Sequence, residues 1–238
     1  MKTKHWSESP MIGFDTESTG VDTREARMLQ AAIITCDPAG ILKEDDRVLF
    51  VDPGPDVEIP REASEVHGIT REVLMASSPL PHGEALRYIY RCISRRATLR
   101  HYPLVIYNAP YDWSLLIHEC QRIPGFNAGA VQAPMFLDPL VIDRHFDKYR
   151  KGSRKLADVA RHYGVELDDA HDAAADTRAS IGVMLALIKS FPEIKELSLA
   201  ELHEAQAMWY AAWKASLNSY WEKSGKQDRI TGRWPFGE

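Results

Sequence analysis

The hydrophobic period of the chain changes near residue 70, and this change limits the folds that the chain can adopt. Before it, apolar runs rich in β-branched residues occupy 11–15, 28–35 and 47–51, and they predict three consecutive antiparallel strands. After it, apolar residues recur every three or four positions, the spacing of a helix that buries one face: Ala85, Leu86, Ile89, Cys92 and Ile93. A β-meander followed by helices is therefore predicted for the first part of the chain.

Strands and helices alternate in the rest of the chain. The run 104–107 predicts a buried strand with a helix after it, and 135–142 predicts another strand and its exit. Three further helices are predicted, at 155–163, 173–190 and 202–220. The pattern predicts an α/β fold, a mixed five-stranded sheet flanked by helices. The domain would cover 1–193, and 194–238 would add a C-terminal helix and tail that pack on it.

The last predicted helix carries large side chains along one face: Trp209, Trp213, Leu217 and Tyr220. Two interpretations are open, because such a stripe either packs on the domain's own core or binds a partner protein. Packing on the core is favoured, since most helices of globular proteins bury one face in this way.

Composition argues against several classes of protein. The formal charge of −5 and the pI near 6.0 argue against a protein that coats nucleic acid through a broad basic surface, although a few local phosphate contacts are compatible with them. The three cysteines form no Cys-x-x-Cys pair, so neither a disulfide framework nor a zinc knuckle is predicted. No secretory signal is apparent, nor any run of about eighteen apolar residues. We expect a cytoplasmic protein without a membrane partner.

Three separated segments place carboxylates where sheet enzymes commonly hold ligands. Asp15 and Glu17 flank Thr16 at the end of the first strand, so strand alternation directs both toward the same face. Asp112 follows a later strand at a strand-to-helix junction. Asp176 lies among alanines at the start of a predicted helix, where small neighbours allow close packing. Each acid alone is also explained by a solvated charge or a helix cap, and only the combination indicates a site.

These four carboxylates have the ligand chemistry and the charge to hold two divalent ions. Oxygen ligands without cysteine favour Mg²⁺ or Mn²⁺ over zinc. Such ions lower the pKa of a bound water and stabilise a leaving oxygen, and a neutral imidazole can accept the proton of that water. His171, five positions before Asp176, is the predicted general base, although a lone histidine is more often structural.

The same residues lie in three ordered motifs: Phe14-Asp-Thr-Glu-Ser-Thr-Gly20, Asn108-Ala-Pro-Tyr-Asp112 and His171-Asp-Ala-Ala-Ala-Asp176. These motifs resemble those of the DEDDh superfamily of 3′→5′ exonucleases, which includes the proofreading subunits of bacterial DNA polymerase III, and the likeness extends over about 11–188. The resemblance implies a ribonuclease H-like sheet. It also implies that the four acids bind the metal ions and that His171 is the general base.

Six further residues are implied by the resemblance to contact the terminal nucleotides: Thr16, Ser18, Thr19, His67, Asn108 and Tyr111. Backbone groups would make part of these contacts, and Tyr111 could also form a wall against which bases stack, with ordinary core packing as the alternative. The chain departs mildly from the family at Ser18, where threonine is commoner, and at Tyr111, where phenylalanine is commoner. Neither departure concerns the metal ligands.

Two basic stretches lie outside the motifs. The run 148–155 could bind backbone phosphates, but a solvated loop is the favoured interpretation. The second stretch is interpreted as a solvated helix face: Arg91, Arg95, Arg96 and Arg100.

The resemblance implies hydrolysis of the terminal phosphodiester at a 3′ end, with release of nucleoside 5′-monophosphates, as in proofreading or DNA repair. DNA is favoured over RNA because the chain looks closer to proofreading subunits than to the shorter RNA-trimming members, although the motifs do not separate the two substrates. A third interpretation is a non-catalytic subunit that tethers a DNA polymerase. The presence of all four carboxylates and the histidine argues against it.

Overall fold

The computed structural model describes residues 5–40, 46–127, 133–167 and 171–237. Its sheet has six strands: β1 Met11–Ser18, β2 Met28–Cys36, β3 Arg47–Asp52, β4 Leu80–Pro81, β5 Leu104–Val105 and β6 Phe136–Leu137. The spatial order is β4-β3-β2-β1-β5-β6. Strands β1, β2 and β3 pair antiparallel with one another in a meander, whereas β4 is parallel to β3, β5 is parallel to β1, and β6 is parallel to β5. The predicted α/β fold with a mixed sheet is confirmed.

Helices cover both faces of this sheet. Their bounds are α1 Arg61–His67, α2 Arg71–Ala76, α3 His82–Ser94, α4 Ala109–Gln121, α5 Pro139–Phe146, α6 Leu156–Tyr163, α7 Ala173–Ser190 and α8 Leu199–Lys223. Helices α3 and α4 pack on one face, and α7 packs along β1 and β2 on the other. No helix in the described ranges is long and apolar enough to cross a membrane.

Two details of the predicted sheet were wrong. The sheet has six strands and not five. The prediction missed β4 because this strand consists of only Leu80 and Pro81, a pair too short to show any alternation. The apolar run 135–142 holds only two strand residues, and Pro139 already begins α5 behind the cap residue Asp138. A buried strand followed directly by a buried helix gives one continuous apolar run, so periodicity could not separate them.

Strand β1 lies at the centre of the sheet and alternates between the two layers of helices. Ile12 and Phe14 face the core under α3 and α4, whereas Met11 belongs to the core under α7. Gly13 lets α7 lie very close to the strand, since a Cβ at this position would be 2.4 Å from Cγ2 of Thr177 and would clash. The N-terminal turns of α7 therefore pack directly against the strand that carries Asp15.

The C-terminal helix α8 packs against β6 and α5. Trp209 stacks on His145 with ring centroids 3.9 Å apart, and the guanidinium of Arg144 lies 3.8 Å from the ring centroid of Trp213. Tyr220, at the far end of the stripe, is 65% exposed. The first half of the stripe thus packs on the rest of the chain, as the favoured interpretation expected.

The basic run 148–155 is held partly by acids of α5 and the turn after it. Arg150 and Arg154 both form ion pairs with the fully buried carboxylate of Asp143, and Arg150 also pairs with Asp147. These two arginines therefore stabilise the fold. The lysines of the run are exposed and form no ion pair with a described residue.

Candidate active site

Carboxylates from β1 and α7 converge at the end of β1. Oxygen atoms of Asp15, Glu17 and Asp176 all lie within 4.8 Å of one another. Asp15 and Glu17 point to the same side of β1 because their positions differ by two. Asp176 comes from the first turn of α7, which the contact at Gly13 brings close to the strand.

Asp112 reaches the same end of β1 from the opposite layer. It lies in the first turn of α4 and is 4% exposed. Its Oδ1 accepts hydrogen bonds from the backbone N–H of Thr16, at 3.0 Å, and from the hydroxyl of Thr16, at 2.6 Å. Thr16 therefore fixes the orientation of Asp112. We call Asp15, Glu17, Asp112 and Asp176 the acid cluster.

Burial raises the pKa of every carboxyl group in the acid cluster, and repulsion by other members of the cluster adds to the rise for Asp15 and Glu17. Burial is the largest cause for Asp15, followed by the charges of Asp112, Glu17 and Asp176. Burial and the charge of Asp176 raise the pKa of Glu17 to about 8. Burial raises that of Asp112 to about 7 in spite of the hydrogen bonds from Thr16, and it also raises that of Asp176. The cluster thus concentrates negative charge that the fold itself does not neutralise.

None of the four carboxylates of the acid cluster forms an ion pair with any residue in the described ranges. The charge of His171 lowers the pKa of Asp176, but the effect of burial is larger. Oδ1 of Asp176 is buried without a hydrogen-bond partner in the described ranges. Buried polar atoms in native proteins are normally satisfied, so such an atom needs a partner that is not a side chain. Oxygen donors of this kind and charge fit divalent cations.

His171 lies at the exposed rim of the acid cluster. Its backbone N–H donates to Oδ2 of Asp176 at 3.3 Å, and its backbone has a left-handed φ of 74°. Its charge lowers the pKa of Asp176 and that of His67, so the imidazole lies within electrostatic range of both groups. Asp172 caps α7 through the N–H groups of Ala174 and Ala175, and this cap fixes the turn that carries both His171 and Asp176.

His67 and Ser18 lie on the other side of the β1 end. Nδ1 of His67 accepts from the N–H of Ile69 at 3.0 Å, and its Nε2 lies 3.2 Å from the carbonyl oxygen of Ser18. Burial lowers the pKa of His67, which agrees with a neutral ring held by both nitrogens. The hydroxyl of Ser18 bonds to the hydroxyl of Tyr111 and to the carbonyl of Gly20.

The remaining predicted contact residues differ in how free their side chains are. Thr19 Oγ1 accepts from the N–H of Arg27 at 2.8 Å. Burial raises the pKa of Tyr111 to about 12, and its hydroxyl holds the loop after β1. Asn108 is exposed in a left-handed conformation at the start of α4, and its side chain makes no capping bond. Asn108 therefore offers a free amide beside the acid cluster.

Sequence reasoning missed the support that Asp138 gives to this edge. This fully buried carboxylate accepts from the backbone N–H groups of Asn108 and Ala109, at 3.0 Å each, and from that of Leu140. The indole N–H of Trp234, in the tail, donates to its second oxygen at 3.1 Å. Asp138 thus joins the start of α4 to the tail. A strand-end aspartate was visible in the sequence, but its tryptophan partner lies almost a hundred residues away.

Comparison with known proteins shows the family of the chain. The chain matches the RNase_T exonuclease family over residues 12–184. It is 30% identical over 199 residues to the uncharacterized exonuclease CP81 of Escherichia phage 186, which covers 79% of this chain and 93% of that protein. It is 24% identical over 184 residues to DNA polymerase III subunit epsilon of Treponema pallidum (strain Nichols), with 74% of each chain covered.

Among solved structures, the fold is similar to that of E. coli exonuclease I in its zinc-bound complex with single-stranded DNA. The TM-score is 0.69 at 20% identity, over 79% of this chain and 42% of that chain. The chain therefore spans less than half the length of that exonuclease I chain. The likeness concerns the fold of the shared part.

Proposed function

Since the chain belongs to the RNase_T exonuclease family, as its motifs predicted, we propose that it shortens a DNA strand from the 3′ end in a metal-dependent reaction. The products would be nucleoside 5′-monophosphates. The fold and the nuclease class follow from the family, and the choice of DNA, the ions and the residue roles belong to the proposal.

One observation carries the proposal. Acids that are far apart in the sequence, on β1, α4 and α7, meet at one end of the central strand, and none of them is ion-paired within the part of the chain that the structure describes. Assembling like charges in a buried place is unfavourable unless a ligand offsets them. A protein that only tethers a polymerase would gain nothing from keeping this arrangement, so the geometry favours a catalytic subunit over a non-catalytic one.

The acid cluster would hold two divalent ions, Mg²⁺ or Mn²⁺. When bound, such ions supply positive charge for the phosphate oxygens and lower the pKa of water. Asp15 is close to Glu17 and Asp176, and the charge of Asp112 also raises its pKa, so all four acids act on one place. Thr16 keeps Asp112 oriented, and the unpartnered Oδ1 of Asp176 is already desolvated for a cation.

His171 would accept the proton of the attacking water on an imidazole nitrogen. Its exposed position at the rim leaves the ring accessible to a bound strand, while the backbone bond to Asp176 keeps it near the acid cluster. The free amide of Asn108 would contact a phosphate of the substrate, and His67 the sugar or base of the terminal nucleotide. The hydroxyls of Thr16, Ser18 and Thr19 already form hydrogen bonds within the fold, so these residues would contact the substrate mainly through backbone groups.

DNA is the proposed substrate for two reasons. Subunit epsilon, which the chain resembles, belongs to a DNA polymerase, and the exonuclease I structure of similar fold contains single-stranded DNA. Association with a polymerase, and a cytoplasmic location, stay predictions.

The test is incubation of a 5′-labelled oligonucleotide with the protein and Mg²⁺ or Mn²⁺. We expect a ladder that shortens from the 3′ end, and no reaction with chelator. Asp15→Asn should lower the rate by at least about a thousandfold, which corresponds to about 4 kcal/mol of transition-state stabilisation. Equal activity in Asp15→Asn would overturn the proposed site. Faster cleavage of a matched RNA strand would overturn the choice of DNA.

His171→Ala tests the proposed base separately. Loss of a general base typically lowers kcat by about a hundredfold to ten-thousandfold. The wild-type rate should rise with pH while the base loses its proton, and the variant should lose this rise. A variant with the wild-type pH profile would remove His171 from the mechanism and leave the metal site untouched.

A further inference from the structure

A second concentration of charge, of opposite sign, lies on α3. A cavity of about 390 Å³ is lined by five arginines, Arg47, Arg91, Arg95, Arg96 and Arg100, together with Tyr88. No aspartate or glutamate of the described ranges lines it. In a chain with a net charge of −5, this excess of cations is local. We call this place the arginine cavity.

Three of the five arginines of this cavity differ from most others in the chain. Elsewhere, guanidinium groups form ion pairs with carboxylates: Arg27, Arg61, Arg71, Arg122, Arg150, Arg154, Arg161 and Arg229. Arg91, Arg95 and Arg100 are exposed and form no ion pair with any described residue. Their charges are therefore available to an external anion.

The backbone of this region holds the arginines in place. Helix α3 ends in a π-helical turn, Arg95–Leu99, an uncommon element that often occurs at functional sites. Arg96 is only 7% exposed, and Arg47 donates to the hydroxyl of Tyr88 at 2.9 Å. Fixed guanidinium groups lose less entropy when they bind phosphate through paired N–H donors.

A row of arginines leads from the cavity along α3. Arg87, Arg91 and Arg95 follow one another at intervals of four residues, or about 6 Å along the axis. They line a second concave surface with Phe126, and the guanidinium of Arg87 lies 5.3 Å from the centroid of that ring. A row of cations with an aromatic ring suits the successive phosphates and bases of a single strand.

The N-terminal end of the row lies toward the edge that carries the acid cluster. His82, at the start of α3, contacts Glu119. Glu119 accepts from the N–H of Met28, the register partner of Ser18 at the end of β1.

A third concave surface is lined by Arg24, His118, Gln121 and Arg122. Arg122 donates to the carbonyl oxygen of Arg24, in the loop that returns to Thr19 at the end of β1. Arg122 is paired with Glu119, so the exposed Arg24 is the cation that this surface adds beside the loop at the end of β1.

From this placement we infer that the arginine cavity and the α3 row bind the sugar–phosphate backbone of the strand whose 3′ end lies at the acid cluster. This inference rests on the proposed function for the identity of the strand. An acidic peptide is the competing ligand, but a peptide would not explain why the cations extend to the edge of the acid cluster.

Binding of a labelled single strand of about 20 thymidines, measured by fluorescence anisotropy in chelator, tests the inference without hydrolysis. Arg91→Glu/Arg95→Glu should raise the Kd by about tenfold or more near 50 mM salt. The slope of log Kd against log salt concentration should fall by about 1.4, since each phosphate contact of a single strand contributes about 0.7. Lys189→Glu/Lys195→Glu is the matched control, because both lysines are exposed, lie outside the row and change the charge equally.

Equal losses of affinity in the two double variants would overturn the inference. So would binding of a glutamate-rich peptide that depends on Arg91 and Arg95 while binding of the thymidine strand does not. Thermal unfolding of each variant shows whether its fold is intact. If the strand binds through these arginines but is never shortened, the proposed function is wrong and this inference still holds. If the strand is hydrolysed but its binding does not depend on these arginines, only this inference is wrong.

Discussion

Glu119 and the acid cluster both hold carboxylates away from water, but their neighbours differ in charge. Glu119, on α4, is fully buried and contacts Arg27 at 2.9 Å, Arg122 at 3.1 Å and His82 at 3.2 Å. Burial alone would raise its pKa, yet bonds from His82 and the N–H of Met28, with the charge of Arg27, hold that pKa below its ordinary value. In the acid cluster every pKa is raised.

This contrast separates structural acids from functional ones within one fold. Glu119 connects α4, the loop before β2 and the start of α3, so its charge is used to hold elements together. The carboxylates of the acid cluster form no ion pair with a described residue, so they can bind a cation from outside the chain. Three measurements test this distinction.

The largest effect on stability is expected for Glu119→Gln. Removing one partner of a buried ion pair typically costs about 3–5 kcal/mol, and because Arg27 and Arg122 remain partly exposed we expect about 2–3 kcal/mol here. Urea unfolding measures the loss. Glu65→Gln, which breaks an exposed pair with Arg61, should cost less than about 1 kcal/mol. Equal costs would show that Glu119 does not have the structural role assigned to it.

A smaller effect is expected from the charge of Glu17. Its pKa is raised from the ordinary 4.5 to about 8, so the metal-free folded state holds the proton more tightly than the unfolded chain does. This contribution to the free energy of unfolding is present below pH 4.5 and is lost as the pH rises through about 8. Glu17→Gln should flatten the fall by about 1–2 kcal/mol.

Urea unfolding at several pH values in chelator measures the effect of Glu17. Addition of Mg²⁺ near pH 8 should raise the stability of the wild type more than that of Glu17→Gln, because the variant has one ligand charge fewer. An unchanged pH slope in the variant would show that the carboxyl group of Glu17 is not held protonated by its neighbours.

The smallest effect is expected for Trp234→Phe. The variant loses the indole bond to Asp138, at a cost of about 1 kcal/mol in unfolding free energy. Because Asp138 also holds the backbone of Asn108, we expect the KM for an oligonucleotide to rise while the apparent metal affinity stays constant. Trp6→Phe loses a comparable bond, to the carbonyl of Leu197, and should leave KM unchanged. A rise in KM in both variants would show that the bond from Trp234 has no specific effect on the site.

The parts of the site that could be predicted from the sequence are those whose residues lie close together in one motif. Asp15 and Glu17 are two residues apart on one strand, so their common direction follows from alternation. Asp176 and His171 are joined by one helix start. The distance between these pairs could not be predicted from spacing, because it depends on how closely α7 approaches β1.

What the sequence did not reveal depends on distant partners. Asp143 and the arginines of the run 148–155 look independent along the chain, and only the fold pairs them. Arg91 and Arg95 look like a solvated helix face along the chain. Only the turn after α3 brings Arg100 to the cavity, and only the packing of α3 on β3 brings Arg47 there. The docking of Trp234 on Asp138 has no local signal at all, since it follows from tertiary packing alone.

The contact between Gly13 and Thr177 has a consequence for ion selectivity. Because Gly13 has no Cβ, the buried side chains of Thr177 and Ile181 pack directly on the strand, and this packing sets the gap between the strand and the helix that supply the carboxylates. Calcium needs ligand distances of about 2.3–2.6 Å, against about 2.0–2.1 Å for Mg²⁺, so accepting the larger radius would require α7 to lift from the sheet. A rigid gap of this kind selects small ions by size, and we expect calcium to compete poorly with Mg²⁺ for the carboxylates.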